Sequence, residues 1–229
     1  MQVSRSLSFW DKGESMELNA YIDHTNLKPD ATSADIELLC AQARDNGFAT
    51  VAINGCWTTL AAEILAGSGV GISTCIGFPL GAMTTAAKAF EAAQAKADGT
   101  TEIDMVLNVG RLIAGDDDFV TRDIAAVVEA APGIPVKVIL ECCLLTDDQI
   151  VRACKDAVAA GAAFVKTSTG FSKGGATLHD VALMRETVGD ACKVKAAGGI
   201  HNADEARAMI EAGADRLGTS SGLHIVAAS

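Results

Sequence analysis

The chain has 229 residues, 49% of them hydrophobic and 21% charged, a composition that excludes a disordered polymer and suits one large globular core. Aromatic residues are only 4%, so that core must be built from aliphatic side chains and alanine, and the formal net charge of −11 is interrupted by no basic run. So acidic a surface repels nucleic-acid phosphates and anionic lipid headgroups, so neither is expected as a partner, and a small anionic substrate would need a local electropositive pocket.

The first stretch, MQVSRSLSFWDKGES, has neither a continuous apolar run nor a small-residue cleavage pattern. It reads as a flexible extension over residues 1–18, not as a secretory signal, with Met16 as a second candidate initiator. From residue 19 onward short β-like runs alternate with amphipathic helical segments. AYIDH (20–24) precedes the helical DIELLCAQARDNG, TVAIN (50–54) precedes TTLAAEILAGSG, and GISTCIG (71–77) precedes AAKAFEAAQAKADG. EIDMVLN (102–108) is followed by DIAAVVEAAPG, PVKVILE (135–141) by DQIVRACKDAVAAG, and FVKTS (164–168) by LHDVALMRETVGD. KVKAAG (193–198) with ADEARAMIEAGA, and then RLGTS (216–220), complete the series. Several helical segments end in glycine, as left-handed C-caps do.

Eight strands alternating with helices predict a parallel sheet closed into a (β/α)8 TIM barrel, a single domain over residues 19–229. An open doubly wound sheet competes with it. That fold usually has fewer strands, and its nucleotide-binding form would carry GxGxxG after the first strand, which does not occur here. No run approaches the roughly 18 apolar residues of a membrane span. The seven cysteines form no CxxC pair and are odd in number, so buried reduced thiols in a cytoplasmic protein are expected.

Side chains alternate between the faces of a strand, so parity assigns faces. Asp104 shares a face with Val106 on the fourth strand, and Lys137 shares one with Ile139 and Glu141 on the fifth. Lys166 ends the sixth strand and Lys195 lies in the seventh. Four neighbouring strands thus each offer an ionisable group in an otherwise apolar run. Buried charges are costly unless paired, and catalytic groups of this fold sit at the C-terminal strand ends. The chemistry that fits is imine formation: a lysine attacks a carbonyl only as the free amine, and burial or a second cation favours that form. Lys166 and Lys195 on adjacent strands provide the pair, with Asp104 and Lys137 to hold a water or a substrate hydroxyl and move protons.

After the seventh strand comes AAGGIH (196–201), and after the eighth LGTSSG (217–222). In such barrels these two loops commonly bind phosphate through backbone N–H groups. Gly198 and Gly199 permit close backbone approach, and Gly218, Ser220 and Ser221 add amides and hydroxyls. GFSKGG (170–175) contributes a further glycine-rich turn.

YIDHTNLKPDAT, EIDMVLNVG, VKVILE, FVKTSTGF, KAAGGI and LGTSSG, in this order, closely resemble the deoxyribose-phosphate aldolases over nearly all of residues 20–226. The resemblance implies a class I aldolase that needs no metal or cofactor. It would reversibly cleave 2-deoxy-D-ribose 5-phosphate into D-glyceraldehyde 3-phosphate and acetaldehyde. By motif, Lys166 is similar to the Schiff-base lysine, Lys195 to the lysine that depresses its pKa, and Asp104 to the carboxylate that works with an ordered water. Lys137 and Asp23 match supporting polar residues that contact the substrate or bind the other charged groups, and Thr167 is taken as a substrate contact. Gly170, Gly198, Gly199, Gly218, Ser220 and Ser221 match the phosphate cradle. Three features depart from the pattern. His201 stands where the family usually has arginine, Gly55 where it often has proline, and the chain stops at Ser229, without a longer C-terminal segment that would close over the site.

His24, His179, His201 and His224 are scattered without ligand spacing, so no metal site is expected, and His24 is read as a hydrogen-bonded pocket or core residue. Asp116–Asp118 is expected to be a solvated helix start. Two other functions fit the same barrel: a phosphosugar isomerase using a carboxylate–lysine pair, and a non-catalytic barrel that binds phosphorylated metabolites. The paired lysines argue against the first, and the retained polar strand residues against the second. A homodimer is the expected assembly by analogy with such barrels.

Overall fold

A computed structural model describes residues 17–227. Eight parallel strands close into a barrel in chain order: β1 (Ile22–Asn26), β2 (Thr50–Asn54), β3 (Gly71–Ile76), β4 (Glu102–Val106), β5 (Val136–Ile139), β6 (Phe164–Lys166), β7 (Lys193–Ala197) and β8 (Arg216–Thr219). The helices outside them are α1 (Ser33–Asp45), α2 (Thr58–Leu65), α3 (Thr85–Ala97), α4 (Val109–Ile113), α5 (Asp117–Ala130), α6 (Asp147–Ala159), α7 (Leu178–Val188), α8 (Ala203–Glu211) and α9 (Gly222–Ala227). The expected (β/α)8 barrel is therefore the fold. Of the extension expected over residues 1–18, residues 1–16, Met16 included, lie outside the described residues, whereas Leu18 is buried in the core.

Each side of the barrel wall has its own composition. Ile22, Val51, Ile53, Ile72, Ile103, Met105, Val136, Val138, Val165 and Val194 are buried in the apolar cluster that also takes in the inner faces of the helices. Side chains of opposite parity, among them Asp23, Ser73, Asp104, Lys137, Lys166 and Lys195, are equally buried but polar. Helix starts follow their sequence signals. Thr32 and Thr146 make capping boxes with Asp35 and Gln149, and the Asp116–Asp118 run opens α5, with Asp116 and Asp117 paired to Arg111 and Arg152. All seven cysteines are free thiols, and burial pushes those of Cys40, Cys75 and Cys192 up to about 11.

Strand ends differ from the sequence reading where backbone turns intervene. Leu18–Tyr21 forms a 3-10 turn, so β1 starts two residues later than AYIDH suggests and runs on to Asn26. Strand β5 stops at Ile139 because the chain bulges at Glu141. The amides of Leu140 and Cys142, two residues apart, bond the consecutive carbonyls of Lys166 and Thr167. A regular parallel ladder would put those carbonyls two residues apart. The short helices α4 and α9 have no counterpart among the expected elements.

Helix α3 inverts a simple hydrophobic reading. Its buried positions include Lys88, while Phe90 is 73% exposed. The Lys88 ammonium lies 2.6 Å from Asp123 on α5 and donates to the Val106 carbonyl at 2.9 Å, while Thr85 Oγ1 donates to the other Asp123 oxygen at 2.6 Å. This buried pair ties α3 and α5 to the end of β4, the strand that carries Asp104. Removing one member leaves the other uncompensated. Lys88→Ala should therefore destabilise the fold by about 3–5 kcal/mol. The double change Lys88→Met with Asp123→Leu should recover most of that loss, as read by urea unfolding midpoints.

Candidate active site

Register sets the height of each charge inside the barrel. Asp104 on β4 lies level with Lys137 on β5 and Phe164 on β6. Lys166 on β6 lies level with Lys195 on β7 and Arg216 on β8, and Asp23 on β1 with Gly218 on β8. The four ionisable groups inferred from parity meet at one carboxylate. Lys166 Nζ is 2.7 Å from Asp104 Oδ2, Lys195 Nζ is 2.8 Å from that same oxygen, and Lys137 Nζ is 2.7 Å from Oδ1. Ser73 Oγ donates to Oδ1 as well, at 2.7 Å.

A second tier lies below. Lys195 pairs with Asp23, Lys137 pairs with Glu102 at 2.6 Å, and Arg216 bridges Asp23 at 2.7 Å and Glu102 at 3.2 Å. Glu102, Arg216 and Ser73 did not emerge from the sequence reading. Parity carried the signal for the first two, since Glu102 precedes Asp104 by two residues and Arg216 precedes Gly218 by two.

The charges hold one another ionised. Burial alone would raise the Asp104 carboxyl, but Lys137, Lys166 and Lys195 outweigh it and keep it well below the ordinary carboxylate range. Asp23 is lowered in the same way, with burial overcome by Lys195, Lys137 and Arg216. Burial would lower the Lys195 ammonium, but Asp104 and Asp23 raise it above the usual lysine range.

A cavity of about 460 Å3 opens at the C-terminal end of the strands. Lys166 forms part of its wall, with Thr169, Gly170, Phe171, Gly198, Gly199, His201, Gly218 and Ser220 around it and His24, Lys28 and Gln42 toward β1. Lys195, Asp104, Lys137 and Asp23 are not among its lining residues and lie behind Lys166 in the barrel interior. Thr167 is also set back: its hydroxyl bridges the backbone of Ala197, accepting from the amide at 3.1 Å and donating to the carbonyl at 3.2 Å. Thr169, two residues on, lines the cavity in its place. His24 is buried, bonded through Nε2 to Gln42 at 2.8 Å and held below its ordinary pKa by burial.

The glycine-rich loops meet back to back. A Cβ on Gly175 would stand 2.4 Å from the Gly198 carbonyl oxygen, and Ala176 N donates to that oxygen at 3.0 Å. Only backbone fits between them. Ser221 stands aside from the cavity lining, with its amide bonded to Thr219 Oγ1 at 2.9 Å. The His201 amide is taken by Glu205 at 2.7 Å, leaving the imidazole exposed at the cavity edge.

Comparison with known proteins then settles the family. The model of the DeoC/LacD family aldolases matches residues 18–228. The chain belongs to that family. It is 58% identical over 211 residues to a deoxyribose-phosphate aldolase of Brevibacillus brevis, covering 92% of this chain and 96% of the relative. A deoxyribose-phosphate aldolase of Finegoldia magna is 56% identical, with 92% and 99% covered. Among solved structures, the tetrameric deoxyribose phosphate aldolase of Aeropyrum pernix superposes with a TM-score of 0.86 at 33% identity, over 92% of this chain and 89% of that one. No helix among the described residues is long and apolar enough to cross a membrane.

The lysine cluster in this aldolase fold makes a linkage prediction. Asp23 and Asp104 titrate lower folded than unfolded. Their stabilisation is therefore complete above about pH 4 and is lost as the pH falls through the folded values. Asp104→Asn should cost about 3–5 kcal/mol at pH 7, because three lysines lose their shared counter-charge. It should also flatten the decline of unfolding free energy below about pH 4 by about one proton, ~1.4 kcal/mol per pH unit. Urea titrations at a series of acidic pH values read both effects.

Proposed function

We infer that the chain catalyses the reversible cleavage of 2-deoxy-D-ribose 5-phosphate into D-glyceraldehyde 3-phosphate and acetaldehyde, through an imine on Lys166. The relatives named as deoxyribose-phosphate aldolases support the substrate, and the lysine cluster supports the route. One observation carries the assignment of the amine. Four cations (the buried Lys137, Lys166 and Lys195 and the half-buried Arg216) face three carboxylates (Asp23, Glu102 and Asp104), and Lys166 is the one with a single carboxylate partner and a place in the cavity wall. One cation is in surplus, and Lys166 is the member of the set placed to meet a carbonyl in the cavity.

The neutral amine attacks the aldehyde carbon of the open-chain sugar, forming the N–C bond as the C=O π bond breaks, and the proton that the nitrogen then sheds passes to the former carbonyl oxygen. While the nitrogen is a neutral carbinolamine, Asp104 faces two cations instead of three. Its affinity for a proton rises at the stage when one must be moved. Water then leaves to give the iminium. The C3 hydroxyl gives its proton to the Asp104 carboxylate, which later returns it to the enamine carbon, the C2–C3 bond breaks, and its electron pair passes to the iminium as an enamine. Glyceraldehyde 3-phosphate departs, the enamine is protonated on carbon, and water releases acetaldehyde and the free amine. No metal or cofactor enters. Lys195, Lys137 and Asp23 act from behind by fixing charge around Asp104.

The glycines at 170, 198, 199 and 218, with Ser220, supply the phosphate end, and Ser221, set aside from the cavity lining, supports the turn behind them. The first three have positive φ, and these loops follow β6, β7 and β8, where barrels of this kind bind phosphate. The same reading makes the chain a single-domain, cytoplasmic enzyme and a homodimer. Free buried thiols suit the compartment, and the exposed Leu80 and Phe90 suit a subunit contact.

Acetaldehyde with borohydride should leave a reduced adduct on Lys166 detectable by peptide mass mapping, and Lys166→Ala should lose both adduct and cleavage. No adduct on the folded protein would refute the imine. Lys195→Leu should shift the pH optimum of imine formation upward, because the freed Asp104 then favours the charged form of its remaining partners; an unchanged profile would contradict this. His201→Arg should lower KM for the phosphorylated sugar about 3- to 10-fold, with little effect on 2-deoxyribose itself, since a guanidinium is always charged.

A further inference from the structure

Glu141 is the single non-glycine residue with positive φ among the described residues, at φ 59 and ψ 57. A left-handed backbone ordinarily favours glycine, yet this one carries a carboxylate that is almost wholly buried and has no cation in ion-pair contact. Its partners are donors from the loop after β6 and from its own turn. Thr169 Oγ1 bonds Glu141 Oε2, the Thr169 amide donates to Oε1 at 3.3 Å, and Cys143 Sγ lies 3.9 Å from Oε1. Thr169 in turn accepts from the Phe171 amide at 3.0 Å. The bulge at Glu141 turns the side chain of β5 sideways onto the β6 loop, three residues past Lys166.

This arrangement fixes a polarity. A carboxylate has no proton to give, so the Thr169 hydroxyl must donate its own to Glu141. One of its lone pairs is occupied by the Phe171 amide, and one remains. Thr169 lines the cavity beside Lys166, so toward a bound molecule it can act only as an acceptor. We propose that Glu141 is a positioning residue that fixes Thr169 as a hydrogen-bond acceptor, so that the cavity wall beside Lys166 selects a substrate presenting a hydroxyl donor there. This rests on the aldolase reading, in which the sugar carries such hydroxyls and acetaldehyde carries none.

Glu141→Gln is nearly isosteric and reverses the polarity. With its amide oxygen on the Thr169 N–H, its NH2 group donates to Thr169 Oγ1 and turns the hydroxyl proton outward. Cleavage of 2-deoxyribose 5-phosphate should then fall about 10- to 100-fold in kcat/KM, while borohydride trapping of acetaldehyde on Lys166 stays within about twofold of the unaltered protein. Thr169→Val should lose a similar amount, and the double variant should be no worse than Thr169→Val. Cleavage by Glu141→Gln at the original rate, losses that multiply in the double variant, or parallel loss of trapping and cleavage would each overturn the proposal. Absence of trapping in the unaltered protein would instead refute the aldolase reading and this inference with it.

Discussion

The site turns on one buried carboxylate, Asp104, that three lysines share inside the barrel. Taking even one ion out of water costs several kcal/mol, and the cluster survives because nearly every group has an opposite charge within about 3 Å. This constraint also ranks the lysines. Lys137 and Lys195 each contact more than one carboxylate and are locked in the interior, whereas Lys166 has one such contact and meets the cavity. The reactivity proposed for Lys166 rests on its least compensated position, not on any special feature of its side chain.

The closed barrel makes the shared carboxylate possible. Neighbouring strands offset their inward residues, so groups from β1, β3, β4, β5, β6, β7 and β8 converge over a few ångströms. The outer structure then holds the strands at that height. Lys88 and Asp123 do so at the end of β4, and the Gly175–Gly198 contact does so where two cavity loops lie backbone to backbone. Stability and function are coupled here because the interactions that fix strand height also fix the charges.

Much of this was legible in the chain. Eight alternations of strand and helix gave the barrel, because the two periodicities differ and glycines mark the joins. Ionisable residues in otherwise apolar runs mark Asp104, Lys137, Lys166 and Lys195 on four neighbouring strands, although parity within one strand does not say that the four share a face. Parity says nothing about depth: Lys137 and Asp23, read as contacting the substrate or binding the other charged groups, bind those groups behind the cavity wall, where Thr167, read as a substrate contact, also lies. Thr169 was passed over because it falls beyond the strand, where alternation no longer applies. The Lys88 pair was hidden for another reason. A buried lysine looks like a surface residue until its partner, 35 positions away, is known. The bulge at Glu141 depends on two amides bonding consecutive carbonyls, a feature no local pattern encodes.

The central claim is that Lys166, and not its better-compensated neighbours, is the reactive amine. A crystal structure of the protein soaked with acetaldehyde at neutral pH tests it most directly. Continuous density should run from Lys166 Nζ into the cavity, with Lys137 and Lys195 still bound to Asp104. Density extending from Lys195 or Lys137, or an unmodified Lys166 with acetaldehyde bound elsewhere, would contradict it.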